Sequence, residues 1–182
     1  MAQPDRIILV GLSGSGKSTL AHRIAGRIDW TAVDLDSMIV REAGMSITDI
    51  FNQLGEPAFR DLERKALLEA LDCKDAIIAT GGGAILDPDN RRDILAAGVT
   101  VYVKSTPQKC SYYLERSRNK QKRPLLSGDG DIELLLTEQL ADRAPFYEIA
   151  HLTLDAANKE LHDLVDELEL ISYGPATTDR SY

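Results

Sequence analysis

The segment from Gly11 to Ser18, GLSGSGKS, places a lysine and a hydroxyl after two glycines at the spacing of the P-loop pattern. In such a loop successive backbone N–H groups point at phosphate oxygens, and the N-terminus of the next helix adds a favourable dipole. The lysine reaches the β- and γ-phosphates, and the serine hydroxyl ligates Mg²⁺. The pattern therefore predicts a site for a nucleoside triphosphate and Mg²⁺ built from Gly14, Ser15, Gly16, Lys17, Ser18 and Thr19.

The context of the loop agrees with this prediction. Arg6–Val10 is an apolar run of strand length, and Lys17–Arg27 has the periodicity of a helix. P-loops also serve switch GTPases and motor ATPases. The guanine-reading pattern Asn-Lys-x-Asp fails here, because residues 119–122 read NKQK, with a lysine in the place of the aspartate. The sequence therefore favours a small-molecule kinase over a GTPase.

Two carboxylates follow the next short apolar run. Thr31–Leu35 is predicted to be the second strand, with Asp34 and Asp36 at its end. Residues i and i+2 of a strand share a face, so both carboxylates are expected on the same side. Beside a triphosphate, one carboxylate holds Mg²⁺ and the other orients or deprotonates an acceptor hydroxyl. The spacing does not say which aspartate does which. The alternative is one aspartate that caps a helix and one that is solvated.

Arg60 and Glu63 are three residues apart in a segment with helical periodicity. A guanidinium group suits bidentate capture of a small carboxylate, and Glu63 is placed to brace it. The alternative is an ordinary ion pair on an exposed helical face.

The remaining elements alternate between strands and helices. Alternation of this kind predicts a parallel sheet with helices on both faces, which binds ligands at the carboxyl ends of its strands. The P-loop, Asp34–Asp36 and Gly81–Gly83 all fall at such ends. The further predicted strands are Ala76–Thr80, Val99–Val103 and His151–Leu154, and the further predicted helices are Pro57–Asp72, Pro88–Ala97, Pro107–Arg116, Ile132–Tyr147 and Glu160–Leu170.

Composition limits the possible partners. The 182 residues suit one domain, and a net charge of -8 disfavours binding to nucleic acid or anionic membranes. The one basic cluster, residues 116–123, is too short to change that expectation. Apolar runs are of strand length, and the two cysteines are too few for a disulfide framework. We expect a cytoplasmic enzyme without a membrane or nucleic-acid partner.

Several motifs, in order and at this spacing, resemble the shikimate kinase family from about Arg6 to Asp155. They are GLSGSGKST at 11–19, DLD at 34–36, SITDIF at 46–51, GEPAFRDLE at 55–63, TGGG at 80–83, RPLL at 123–126 and DRAPFY at 142–147. The resemblance implies a three-layer α/β/α P-loop kinase fold with a five-stranded parallel sheet and a mobile lid. It implies one domain over residues 1–171, with an acceptor-binding segment at about 35–63, a lid at about 116–130 and a polar tail at 172–182.

The resemblance also implies an activity. The enzyme would be a Mg²⁺-dependent monomer that transfers the γ-phosphate of ATP to the 3-hydroxyl of shikimate, in the pathway to chorismate and the aromatic amino acids. The alternatives are a kinase for another small hydroxy-acid such as gluconate, and a nucleotide-binding switch without small-molecule transfer.

The resemblance assigns roles on the acceptor side. Asp36 looks like the carboxylate that contacts the acceptor hydroxyls and acts as base, and Asp34 like its partner near Mg²⁺. Arg60 and Arg143 look like the pair that grips the shikimate carboxylate. The backbone of Gly81, Gly82 and Gly83 would lie against the bound acid, and Phe51 and Phe59 would wall its apolar side.

On the nucleotide side, Arg116 resembles the arginine that stacks near adenine. Arg123 resembles the lid arginine that closes over the transferring phosphate, where a cation stabilises the developing charge. The family often has a proline over the adenine after the last strand. Residues 155–160 contain none, so the resemblance assigns no adenine contact there.

Overall fold

Five strands form one parallel sheet in the computed structural model, which describes residues 4–116 and 131–173. The strands are β1 (Arg6–Val10), β2 (Thr31–Asp34), β3 (Ala76–Ala79), β4 (Val99–Lys104) and β5 (Leu152–Asp155). The strand order is β2-β3-β1-β4-β5, and all four neighbouring pairs are parallel. The central position of β1 places the loop that follows it in the middle of the carboxyl edge of the sheet.

Helices cover both faces of the sheet. The helices are α1 (Lys17–Ile28), α2 (Leu35–Ala43), α3 (Ile47–Asp72), α4 (Pro88–Ala97), α5 (Pro107–Arg116), α6 (Ile132–Tyr147) and α7 (Leu161–Ser172), with a 3₁₀ turn at Ala84–Leu86. Strand β1 shows the division, because Ile7 and Leu9 belong to the core layer under α1 and α7, whereas Ile8 and Val10 belong to the layer under α2 to α6. Trp30 packs against the layer under α1 and α7. The predicted three-layer P-loop kinase architecture is confirmed.

The region between β2 and β3 differs from the prediction. Strand β2 stops at Asp34, and α2 begins at Leu35, so the prediction that Asp34 and Asp36 share one face of a strand is wrong. The side chains of Asp34 and Ser46 each accept a backbone N–H as helix N-caps. Helix α2 therefore begins after Asp34, where a strand end was predicted, and α3 begins after Ser46, where no element was predicted. Gly55 breaks α3 with φ 83° and ψ 171°, and Pro57 lies in the first turn after the break.

Two predictions fall on residues that the structure does not describe. The predicted lid lies outside the described residues except for Arg116, and Arg123 is among the residues left out. Of the predicted tail, 174–182 is outside as well. Within residues 4–116 and 131–173, helices of membrane-spanning length and hydropathy do not occur.

Candidate active site

The phosphate loop joins β1 to α1 through a backbone with positive φ angles at Gly11, Gly14 and Gly16. Gly14 has φ 83°, and a Cβ atom there would lie 2.7 Å from the carbonyl oxygen of Cys110 in α5, so only glycine fits. Lys17 folds back over the loop and donates from Nζ to the carbonyl oxygens of Gly11 and Leu12, both at 2.7 Å. The ammonium group is thus buried inside the loop, while Ser18 and Thr19 are exposed at the start of α1.

A second loop, Gly81–Gly83, lies directly beside the phosphate loop. The Thr80 hydroxyl donates to the carbonyl oxygen of Leu9 at 2.9 Å and fixes the end of β3 to β1. A Cβ atom on Gly82 would lie 3.1 Å from both the backbone nitrogen and Oγ of Ser13. The glycine loop therefore touches the predicted nucleotide site on one side.

On its other side the glycine loop meets the predicted acceptor residues. A Cβ atom on Gly81 would lie 2.9 Å from Glu63 Oε1 and 3.3 Å from Asp36 Oδ1. One on Gly83 would lie 3.1 Å from Arg60 Nη1. Asp36 comes from α2, and Arg60 and Glu63 come from α3, so the fold collects residues from two helices against one glycine-lined backbone.

Arg60 is held by two carboxylates and one ring. Its Nη1 lies 2.7 Å from Glu63 Oε2, and its Nη2 lies 2.9 Å from Glu56 Oε1. The guanidinium carbon is 5.3 Å from the centroid of the buried Phe59 ring, which in turn lies 4.6 Å from that of Phe51. The predicted brace is therefore present, and Phe59 supports Arg60 from the core.

Glu63 is the most buried charged group of this cluster, with a side chain only 3% exposed. Burial raises the pKa of Glu63, and the negative charge of Asp36 raises it further, while Arg60 and Arg143 oppose both effects. The charges of Asp36, Arg60 and Arg143 all act on Glu63, so these four charged groups lie close together. The sequence analysis gave Glu63 only the role of a brace.

Arg143 reaches this neighbourhood from α6. Its charge lowers the pKa of Glu63, and it also lowers that of Tyr147, one helical turn later. Tyr147 was given no role in the sequence analysis, although it ends the motif DRAPFY. Its burial, which requires the hydroxyl to have a hydrogen-bond partner, is visible only in the folded chain.

Asp34 has the structural task of a capping residue, which was the alternative to a functional carboxylate pair. Its Oδ1 accepts the backbone N–H of Ser37 at 2.9 Å and caps α2, the helix that carries Asp36. Asp34 thus fixes the position of Asp36 even though the two residues lie on different elements.

Replacing Asp34 with alanine should lower the free energy of unfolding by about 1 kcal/mol, which is about 2–4 °C in Tm for a chain of this size. Asp34→Asn keeps an acceptor for Ser37 and should leave Tm nearly unchanged. Thermal unfolding of both variants separates capping from charge. Equal Tm values for the two variants would contradict the capping role.

At the nucleotide end, α5 lies against the phosphate loop through Cys110 and Leu114, the latter with Cγ 2.8 Å from a Cβ atom built on Gly14. Arg116 ends this helix, with its guanidinium carbon 5.1 Å from the ring centroid of Tyr112. The predicted stacking of Arg116 near adenine stays a prediction, as does the role of Arg123.

The chain is similar to known proteins over most of its length. The family model described as shikimate kinase matches residues 13–170. A shikimate kinase of Stenotrophomonas maltophilia is 42% identical over 156 residues, which cover 85% of this chain and 84% of that protein. One of Caldanaerobacter subterraneus subsp. tengcongensis is 34% identical over 162 residues, covering 89% and 92%.

A solved structure extends the likeness to the fold. Shikimate kinase from Acinetobacter baumannii in complex with shikimate superimposes with a TM-score of 0.84 at 33% identity, covering 92% of each chain. Sequence, family model and fold therefore agree over nearly the same residues, and the chain belongs to the shikimate kinase family.

Proposed function

We propose that this chain transfers the γ-phosphoryl group of ATP to the 3-hydroxyl of shikimate. The observation that carries the proposal is the meeting of Asp36, Arg60 and Glu63 at Gly81–Gly83, beside the phosphate loop. A kinase needs its acceptor and its phosphate donor side by side, and this loop contacts residues of both kinds. Family membership supports the same activity.

Arg60 and Arg143 would bind the carboxylate of the acid. Guanidinium groups bind carboxylates through paired N–H donors in a fixed plane. Glu63 and Glu56 hold Arg60 by all three of its guanidinium nitrogens, which limits its rotation before the acid arrives. A fixed donor loses less conformational entropy on binding, so the acid would bind more tightly.

Asp36 would orient the acceptor hydroxyl. The acceptor oxygen attacks the γ-phosphorus, the bond from that phosphorus to the β–γ bridging oxygen breaks, and the hydroxyl proton passes to the Asp36 carboxylate. The products are ADP and the phosphate monoester. Positioning and electrostatic stabilisation supply most of the rate in such a transfer, because little covalent chemistry falls to the protein.

Lys17 would neutralise charge on the β- and γ-phosphates, and Arg123 would do so from the lid. Ser18 and Asp34 present the oxygen atoms that Mg²⁺ prefers, and few protein ligands are needed because phosphate oxygens and water complete the shell. Bound Mg²⁺ would neutralise phosphate charge. We extend the proposal to a single-domain, cytoplasmic monomer whose partners are ATP and shikimate.

The position of phosphorylation tests the proposal directly. Incubation with shikimate and Mg·ATP should give one phosphate monoester, and two-dimensional ³¹P–¹H correlation spectroscopy should place it on the carbon-3 oxygen. A phosphate on another hydroxyl, or no ester, would contradict the proposed reaction.

Arg60→Ala should raise the KM for shikimate about 10- to 100-fold, because a charged hydrogen-bonding partner of the acid is lost. The KM for ATP should change by less than about twofold, because within the described residues the contacts of Arg60 are with Glu56, Glu63 and Gly83 and it shares no partner with the phosphate loop. Initial rates at varied concentrations of each substrate measure both constants. Arg60→Lys should recover only part of the loss, since lysine lacks the planar pair of donors.

Arg64→Ala is the matched control for Arg60→Ala. Arg64 lies one turn further along α3 and pairs with Asn90 and Asp93, away from the glycine loop. Its removal should leave both KM values near those of the wild type. An unchanged KM for shikimate in Arg60→Ala would refute the carboxylate-binding role of Arg60.

A further inference from the structure

The Tyr147 hydroxyl is a buried polar group that the transfer reaction described above does not use. Tyr147 is the last residue of α6, and its side chain is fully buried. Its hydroxyl donates to the carbonyl oxygen of Gly82 at 2.5 Å, across 65 positions of sequence. The hydroxyl therefore ties α6 to the middle of the glycine loop.

Arg143 lies one turn earlier on α6, and it acts on the Tyr147 hydroxyl by lowering its pKa. A phenol has one proton to donate and lone pairs to accept with, so this hydroxyl can accept from a guanidinium group while it donates to Gly82. Burial outweighs the effect of Arg143 and raises the pKa of Tyr147 to about 12, so the hydroxyl keeps its proton, and with it the bond to Gly82, at neutral pH. The oxygen atom that is bonded to the glycine loop is therefore also within reach of the Arg143 charge.

Packing fixes this oxygen in place. The Tyr147 ring stacks on Tyr102 of β4, with ring centroids 5.2 Å apart and an interplanar angle of 25°. Gly82, which accepts the hydroxyl bond, is within contact distance of Ser13 in the phosphate loop. Tyr147 therefore joins α6, the helix that carries Arg143, to the glycine loop, which in turn contacts Ser13 of the phosphate loop.

We propose that Tyr147 is a positioning residue for the acid substrate. Its hydroxyl holds the Arg143 guanidinium and the Gly82 backbone at a fixed separation, so that both are correctly placed to contact the bound acid. Without the hydroxyl, Arg143 loses an acceptor and the Gly82 carbonyl loses a donor, while the ring still fills its place in the core. This inference rests on the proposed function, because it takes the carboxylate of shikimate as the group that Arg143 binds.

Tyr147→Phe tests the inference, since it removes one oxygen atom and keeps the ring. The KM for shikimate should rise about tenfold, the effect of one lost hydrogen bond to a charged group. The KM for ATP should stay within about twofold, as expected for a separate site. Steady-state rates with each substrate varied, together with Tm, give all the values needed.

Two comparisons separate positioning from general packing. Tyr102→Phe removes the hydroxyl of the stacked partner ring and should leave the KM for shikimate unchanged. In an Arg143→Ala background, Tyr147→Phe should raise that KM by less than about twofold, because residues that act through one another are not additive. Equal effects of Tyr147→Phe with and without Arg143 would overturn the coupling to Arg143.

The outcomes also distinguish the inference from the proposed function. Shikimate turnover by the wild type, with an unchanged KM in Tyr147→Phe, would overturn the positioning role and leave the function standing. A rise in KM for ATP as large as that for shikimate would show a general loss of packing and would likewise overturn it. Absence of shikimate turnover by the wild type would overturn the function, and the inference with it.

Discussion

Lys17→Ala is expected to lower kcat for phosphoryl transfer by about 10³-fold or more, which is the scale on which a cation at a transferring phosphoryl group acts. The ammonium group lies buried within the phosphate loop, 2.7 Å from two of the loop's own carbonyl oxygens. A charge held at this point does not have to be reorganised during the reaction. Its loss leaves the developing negative charge without that stabilisation.

Lys17→Met accompanies this variant, because methionine keeps most of the apolar stem and removes only the charge. Both variants should fold, as judged by circular dichroism and thermal unfolding. Lys65→Ala serves as a distant control, since Lys65 pairs with Glu42 on an exposed surface. A kcat within about tenfold of the wild type in folded Lys17→Met, against the loss of about 10³-fold expected for this charge, would contradict the phosphate-binding role.

Asp36→Asn is expected to lower kcat by about 10²- to 10⁴-fold, the contribution of a positioned general base. Asparagine retains the shape of the side chain but cannot take up the hydroxyl proton. The effect should fall on kcat more than on the KM for shikimate, because the acid carboxylate is bound elsewhere. Steady-state rates at saturating ATP measure both constants.

The stability of this variant carries further information. The charge of Asp36 raises the pKa of buried Glu63, so the two carboxylates repel each other in the folded protein. Removing the charge of Asp36 should leave Tm unchanged or raise it. A higher Tm would show that this charge lowers the stability of the fold while it supports the reaction. Asp61→Asn, an exposed carboxylate on α3, is the matched control. A kcat for Asp36→Asn within about threefold of the wild type, far below the 10² expected, would exclude the role of base.

The phosphate loop and the sheet were predictable from sequence because their signals are local. Gly11 to Ser18 is a contiguous pattern, and β1, α4, α5 and α6 begin and end where they were predicted. At α4, Asp87 caps the helix and Pro88 begins it, so a short stretch of sequence is sufficient.

The entry into α2 was mispredicted for a physical reason. Asp34 is compatible both with a strand end and with a helix cap, and alternation alone does not distinguish them over so short a segment. The tertiary structure decides, because β2 pairs with β3 only as far as Asp34 opposite Ala79. The prediction of a shared strand face failed with that boundary, although Asp36 still lies at the glycine loop.

The burial of Glu63 and the hydrogen bond from Tyr147 to Gly82 have no local signature. Glu63 has a raised pKa because α3 buries it against the glycine loop. From sequence alone, a carboxylate in a helical pattern is expected to be exposed. Tyr147 and Gly82 meet only when α6 has packed against the end of β3. Such contacts join distant segments, so they became visible only in the folded chain.

The most direct test of the proposed activity is ADP release by the wild-type protein with Mg·ATP and a panel of hydroxy-acids that includes shikimate and gluconate. We predict turnover with shikimate, with one ADP formed for each phosphate ester, and only background hydrolysis with gluconate. No ADP release with shikimate would contradict the account. Turnover with gluconate in its place would assign the same phosphate loop to a different acceptor.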